Sequence, residues 1–209
     1  MFYNIFDKKR ENILPLFKLL KNDFYLAGGT ALALQIGHRD SVDFDFFSEN
    51  DFDTGDLFEK LKEIFKNNKV QRVQDEKNTL TIVVDDDIKL SFFAYKYPLL
   101  NSLISEKYIK LASVEDIACM KLAAIVSRST EKDYVDLYFI LRNNNKLSEL
   151  LKLSKEKFPA LDTNLIIKSL TYFDDIIEEA IVFKNDKNIS LDEVKTFLRE
   201  AVKEYLRIS

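Results

Sequence analysis

The stretch Phe24–Phe47, FYLAGGTALALQIGHRDSVDFDFF, decides how this chain reads. Residues 24–27 form a short apolar run ended by Gly28-Gly29, the pattern of a buried strand. The chain has only four glycines in 209 residues, and two of them are adjacent here. Glycine placed so sparingly marks a point where something approaches the backbone closely. Thr30 is expected to N-cap a helix running through Ile36, and Gly37 to end it. Residues 41–47 then alternate as a strand does, so Val42, Phe44 and Phe46 are expected on one face. Ser41, Asp43 and Asp45 fall on the other.

Two carboxylates two residues apart on a strand lie ~6.6 Å apart along it. Both can reach one Mg²⁺, or each can share in a pair of ions. Without a cation they repel. A strand running through glycine into a helix N-terminus offers free N–H groups and a positive dipole end, where phosphates bind readily. Taken singly, Gly-Gly is commonly a turn, and two Asp on a strand are commonly a solvated face over an aromatic core. In this order and spacing they point to phosphoryl or nucleotidyl chemistry on a nucleoside triphosphate.

Working outward, residues 9–21 read as a helix, as do 54–68, which place Leu57, Leu61, Ile64 and Phe65 inward. Residues 80–84 and 88–95 read as a hairpin around Asp85-Asp86-Asp87. Ser113, with Asp116 as capping-box partner, opens a helix towards Arg128. Further helices are expected at 131–142, 147–157, 162–183 and 191–206. Strands fall mostly before residue 97 and helices dominate after it. The fold class is therefore α+β, with a sheet-bearing core over 1–110 and a helical region over 111–209 that completes the cleft. On α-helical steps, Lys121 and Arg128 share a face two turns apart, and so do Asp133 and Asp136.

The charge balance is 31 Lys+Arg against 35 Asp+Glu, so no basic tail advertises nucleic acid. Cys119 is the only cysteine, which excludes an intrachain disulfide and suits a reducing compartment; its apolar neighbours suit a buried, inert thiol. No run is long and apolar enough to span a bilayer, and the N-terminus lacks signal-peptide order. A cytoplasmic protein without membrane contact is expected.

"AGG", thirteen residues, then "DFDF" resembles the signature of the DNA polymerase beta-like nucleotidyltransferase superfamily. More narrowly, GGTALALQIGHRDSVDFDFF together with MKLAAIVSRSTEKDYVDLYFIL resembles the AbiEii/AbiGii-type nucleotidyltransferase toxins of abortive-infection and toxin–antitoxin systems. The resemblance spans roughly residues 20 to 142. It implies a mixed sheet flanked by helices, with Gly28, Gly29 and Thr30 holding the triphosphate and Asp43 and Asp45 binding Mg²⁺. It implies Lys121 on the phosphates, with Asp133 or Asp136 near the metal or the attacking hydroxyl. Arg39 and Ser41 join the phosphate-binding candidates, and Arg128 extends the row of cations. His38, the sole histidine, is either a base or a residue organising the loop. One departure stands out. Where relatives carry a third carboxylate on a later strand, this chain has Ser91, which neither holds Mg²⁺ strongly nor takes a proton at neutral pH. Either Asp133 or Asp136 replaces it, or catalysis proceeds with one firmly held metal, or the chain is inactive; replacement is the favoured expectation.

The resemblance implies transfer of a nucleoside monophosphate from an NTP to an RNA hydroxyl, at the 3′ end of a tRNA, with growth arrest relieved by a cognate antitoxin. Two rivals remain: an enzyme that modifies small molecules such as antibiotics, and a non-catalytic nucleotide- or partner-binding module.

Overall fold

The computed structural model describes residues 1–143 and 145–208. Its described residues form one seven-stranded mixed sheet with eight α-helices, an α+β arrangement. The chain opens with α1 (Lys8–Ile13), which Pro15 converts into a 3-10 segment (Leu14–Leu19) in place of the single helix expected over 9–21. Next come β1 (Tyr25–Ala27), α2 (Gly28–Ile36), β2 (Phe44–Ser48) and α3 (Thr54–Ile64). The strands β3 (Val70–Glu76), β4 (Thr79–Val84) and β5 (Ile88–Ala94) form a meander, followed by the short β6 (Ile104–Ser105) and β7 (Lys110–Leu111). The helices α4 (Val114–Arg128), α5 (Glu131–Arg142), α6 (Leu147–Lys157), α7 (Thr163–Ser169) and α8 (Leu191–Ile208) complete it.

Strand order is β3-β4-β5-β2-β1-β7-β6. β2 lies antiparallel to β1 and parallel to β5, with Asp45 opposite both Ala27 and Ser91. The Phe/Asp alternation on β2 is resolved by burial. Phe44 and Phe46 are fully buried against Phe17 and Phe92, with Phe46 and Phe92 stacked at 4.9 Å. Each such ring stabilises the fold by about 1.5–3 kcal/mol, which fixes the register and turns the intervening aspartates to the opposite face. Val42 does not join the rings, because the strand begins only at Phe44 and Val42 is half exposed. The hairpin turn at Asp85 and Asp86 is as expected, both residues adopting positive φ.

Three expectations need correction. β3 has no counterpart among the expected strands, because nearly all its side chains are exposed and it shows no buried face to read. Thr30 does not cap α2: the helix starts at Gly28, and the Thr30 hydroxyl donates instead to the Asp43 carbonyl. The helix expected over 162–183 stops at Ser169. Residues 174–186 run as a strap whose backbone pairs elsewhere: Ile177 with Ser129 and Glu131, Val182 with Asp40, and Lys184 with His38. Tertiary hydrogen bonds there replace the helical ladder. At α4, Ser113 caps as expected by accepting from the Asp116 N–H. The Asp116 carboxylate, however, takes the Leu100 and Asn101 N–H groups and the buried Lys157 ammonium. Cys119 is fully buried, and burial pushes its thiol up to about 12.

Candidate active site

The exposed face of β2 and β5 forms the floor of a cleft of about 740 Å³, and α4, the start of α5 and the strap wall it. Gly29, Arg39, Ser41, Asp43, Asp45, Ser91, Lys121, Arg128 and Asp133 all line it. The two glycines show what approaches the backbone here. Gly28 has φ +70°, and a Cβ there would sit 3.1 Å from Asp45 Oδ2. At Gly29 a Cβ would sit 2.6 Å from Arg39 Nη2. The backbone at the start of α2 is thus pressed between an acid and a guanidinium, where only glycine fits.

The Asp45 carboxylate makes no hydrogen bond or ion pair among the described residues. Burial and the neighbouring Asp43 raise its pKa above the ordinary carboxylate value. Asp43 has Lys89 at 3.7 Å. A close pair of acids, one of them without a partner, suits a hard divalent cation that takes few protein ligands and completes its shell with water and phosphate. Among the described residues no group of three or more acids, histidines or cysteines could hold a metal. Mg²⁺ at this site would therefore rest on Asp43 and Asp45 and on the substrate.

Asp133 and Asp136, on α5, are in a different state. Asp136 is completely buried and does not line the cleft. Arg39 donates to it through Nε (2.7 Å) and Nη2 (2.8 Å). Lys121 Nζ lies at 2.6 Å and His38 Nε2 at 2.7 Å. Burial alone would raise its pKa, but Arg39, Lys121 and the His38 hydrogen bond outweigh that and hold it well below the usual range. Asp133 accepts from Lys121 (2.8 Å), from Arg128 through Nε and Nη2, and from the Thr130 hydroxyl (2.8 Å). Its pKa is also lowered, the attraction of Lys121 and Arg128 overcoming burial. Arg39, Asp136, Lys121, Asp133 and Arg128 thus form a continuous ladder of alternating charge.

The ladder corrects several expectations. Neither α5 aspartate is free to replace a third carboxylate, since each is saturated by cations. Arg39 is nearly buried and spends its donors on Asp136 and the Asp40 carbonyl, so it braces the site and is not a free phosphate ligand. Thr30, also nearly buried, does not line the cleft and ties α2 to the Asp43 backbone and Ser41 Oγ. His38 is fully buried with Nε2 on Asp136 and does not line the cleft, so it organises the loop and is not a base facing the cleft; burial lowers its pKa.

Ser91 does sit beside Asp45 in register, where a third carboxylate would stand. Sequence reasoning missed Lys89, the Lys132–Glu179 pair (3.2 Å) and the aromatic residues Phe93 and Tyr95. Lys89, Ser91, Phe93 and Tyr95 alternate along IKLSFFAY, so the period-2 pattern already carried that signal.

The fold matches solved structures at low sequence identity. MenT4, a nucleotidyltransferase toxin of Mycobacterium tuberculosis, aligns with a TM-score of 0.62 at 15% identity, covering 93% of this chain and 80% of that one. JHP933 from Helicobacter pylori aligns with a TM-score of 0.55 at 16% identity, covering 94% and 89%. In sequence, an uncharacterized protein of Aquifex aeolicus is 44% identical over 190 residues, which is 88% of this chain and 89% of that protein. The family model described as "Nucleotidyl transferase AbiEii toxin, Type IV TA system" matches residues 16–207. With an acid pair facing a glycine-led helix across from two cations, and a family match over nearly its whole length, the chain belongs to the AbiEii nucleotidyltransferase toxin family.

Proposed function

We propose that the protein transfers a nucleoside monophosphate from a Mg²⁺-bound NTP to a hydroxyl of an RNA acceptor, the 3′ end of a tRNA, releasing pyrophosphate. The observation that carries this reading is the meeting of Asp43, Asp45, Gly29, Lys121 and Arg128 around one cleft. Mg²⁺ held by Asp43 and Asp45 would neutralise phosphate charge and polarise the α-phosphorus. The start of α2 supplies N–H groups to the polyphosphate. Lys121 directs two donors at Asp133 and Asp136, leaving a third for a phosphate oxygen. Arg128 is more than half exposed along its side chain and shares Asp133 with Lys121, which sets both cations at fixed positions. Asp133 and Asp136 act as positioning residues: they keep Lys121 charged and aimed, and preorganised charge is what stabilises such a transition state. With Ser91 unable to take a proton, the acceptor hydroxyl loses its proton to water or to the phosphate.

Membership of a toxin–antitoxin family supports a cognate antitoxin that would restrain the protein. No helix among the described residues is long and apolar enough to cross a membrane. A small hydroxyl-bearing acceptor is a second reading. It rests on Lys89 and Lys132, which are each paired with an acid of the cleft wall and so do not form a free basic track. Incubation with each labelled NTP, Mg²⁺ and either purified tRNA or small hydroxyl acceptors tests both. Label in tRNA, lost in Asp43→Ala and Asp45→Ala, supports the first reading. Label in small acceptors alone supports the second. Label in neither, with parent and variants alike in NTP binding, leaves a non-catalytic module.

A further inference from the structure

A second lobe of about 450 Å³ opens from the same cleft and shares Gly29, Asp45, Phe93, Lys121 and Arg128 with it. Its character differs. Phe47 and Phe93 come from the sheet, Tyr95 from just past the end of β5, and Met120 and Ala124 from the facing side of α4. Phe47 touches both other rings, with centroids 5.4 Å from Phe93 and 5.3 Å from Tyr95. Phe93, Tyr95 and Met120 remain partly exposed although the core beneath them is closed. The main lobe is walled by Gln74, Thr81, Lys89, Lys132 and Glu179 together with Val42, Val73 and Val182, and Phe93 is the one aromatic residue among its described lining.

From this division we propose that the apolar lobe seats the nucleobase of the NTP by face contact, leaving the polar lobe to the acceptor. The inference rests on the nucleotidyl-transfer reading above and assigns the two halves of that site. The base is the one part of an NTP with an apolar face, and aromatic walls bind such faces irrespective of base identity. Reading a base edge takes side chains such as Asn, Gln, Glu or Arg aimed at it. In this lobe the charged residues are Asp45, Lys121 and Arg128, already assigned to metal and phosphate. Ser127 spends its hydroxyl on the Ala124 carbonyl, and Thr79, which also lines the lobe, carries a hydroxyl that pairs with either kind of base edge and so does not discriminate. The site therefore selects for stacking area and not for edge pattern, so purine nucleotides are preferred to pyrimidine nucleotides and ATP and GTP are treated alike.

The test is equilibrium binding of Mg²⁺-tripolyphosphate and of Mg²⁺-NTPs to the full chain, its parent form and the variants Ala124→Phe and Met120→Ala. The parent is expected to bind ATP about tenfold or more tighter than tripolyphosphate, the gain of one stacked base. ATP and GTP should agree within about threefold, since no edge reader separates them. Ala124→Phe fills the lobe and should erase the gain while tripolyphosphate binds as before. Met120→Ala should shrink it several-fold, and it decides the matter if Ala124→Phe loses tripolyphosphate binding as well. Tripolyphosphate binding with no gain from the base, a gain that survives these variants, or an ATP–GTP gap beyond about tenfold overturns the proposal and leaves nucleotidyl transfer standing. Failure of tripolyphosphate and every NTP to bind the parent overturns the underlying reading too.

Discussion

Two pairs of aspartates stand beside the cleft, one at the start of β2 and one on α5, and Asp45 in the first is in the opposite state to both members of the second. Asp45 has no partner among the described residues and an upward-shifted pKa, while Asp43 has only a distant lysine. Asp133 and Asp136 are packed among Lys121, Arg128, Arg39 and His38, with downward-shifted pKa values. Asp45 costs the fold stability, a cost that the proposed cation would relieve. The helix pair already has its cations and holds the fold and the cleft wall together. Acidity alone, then, does not mark a metal ligand; the surrounding charge decides.

The contrast can be broken most forcefully at Asp136. Asp136→Asn leaves Arg39 buried without a counter-charge, takes from Lys121 one of its two acids, and should cost about 3–5 kcal/mol, read from chemical denaturation. A loss under about 1 kcal/mol would remove the structural half of the contrast. At the sheet, Asp45→Asn should lower transfer by about 10²–10³-fold or more, because ligation of the ion contributes several kcal/mol to the transition state. Its melting temperature should hold or rise. A variant that is both active and destabilised would reverse the assignment.

Gly29→Ala, which drives a methyl onto an Arg39 locked by Asp136, should destabilise by about 1–3 kcal/mol and weaken NTP binding. Acid titration sharpens the contrast further. Asp133 and Asp136 have lowered folded pKa values, so their stabilisation is present above about pH 4 and is lost as pH falls through the depressed values. Asp45 has a raised one, so its ionised form destabilises the fold at neutral pH and protonation on the way down removes that cost. Each tenfold gain in its proton affinity on folding corresponds to about 1.4 kcal/mol. Asp45→Asn should therefore be more stable than the parent at pH 7, and the two should converge as denaturation is repeated down to about pH 4. The smallest effect is expected at Thr130→Ala, which removes one hydrogen bond to Asp133 and should cost about 0.5–1.5 kcal/mol with transfer largely retained.

Much of the sheet half was legible in the sequence. Phe44 and Phe46 alternate with Asp43 and Asp45, and period two alone tells which face is wet. Gly28-Gly29 announced a tight approach, and IKLSFFAY placed Ser91 beside the acids. The helix half was legible only in part. Spacing put Lys121 and Arg128 on one face, yet it could not show that Asp136 faces Arg39, 97 positions away. Local pattern carries no information about such a partner. The strap failed for a related reason: DDIIEEAIVF has helical composition, but Ser129, Asp40 and His38 offer its backbone better partners. β3 was silent because an exposed strand buries nothing for periodicity to report.

The ladder of alternating charge has a consequence for biosynthesis. Its rungs come from residues 39, 121, 128, 133 and 136, and the strap that closes over them pairs through Lys184. A nascent chain that has only its first hundred residues outside the ribosome carries the twin acids and the glycine hinge but lacks Lys121, Arg128 and their counter-ions. On the nucleotidyl-transfer reading, the growing polypeptide therefore lacks a complete site until the segment through Asp136 has been made.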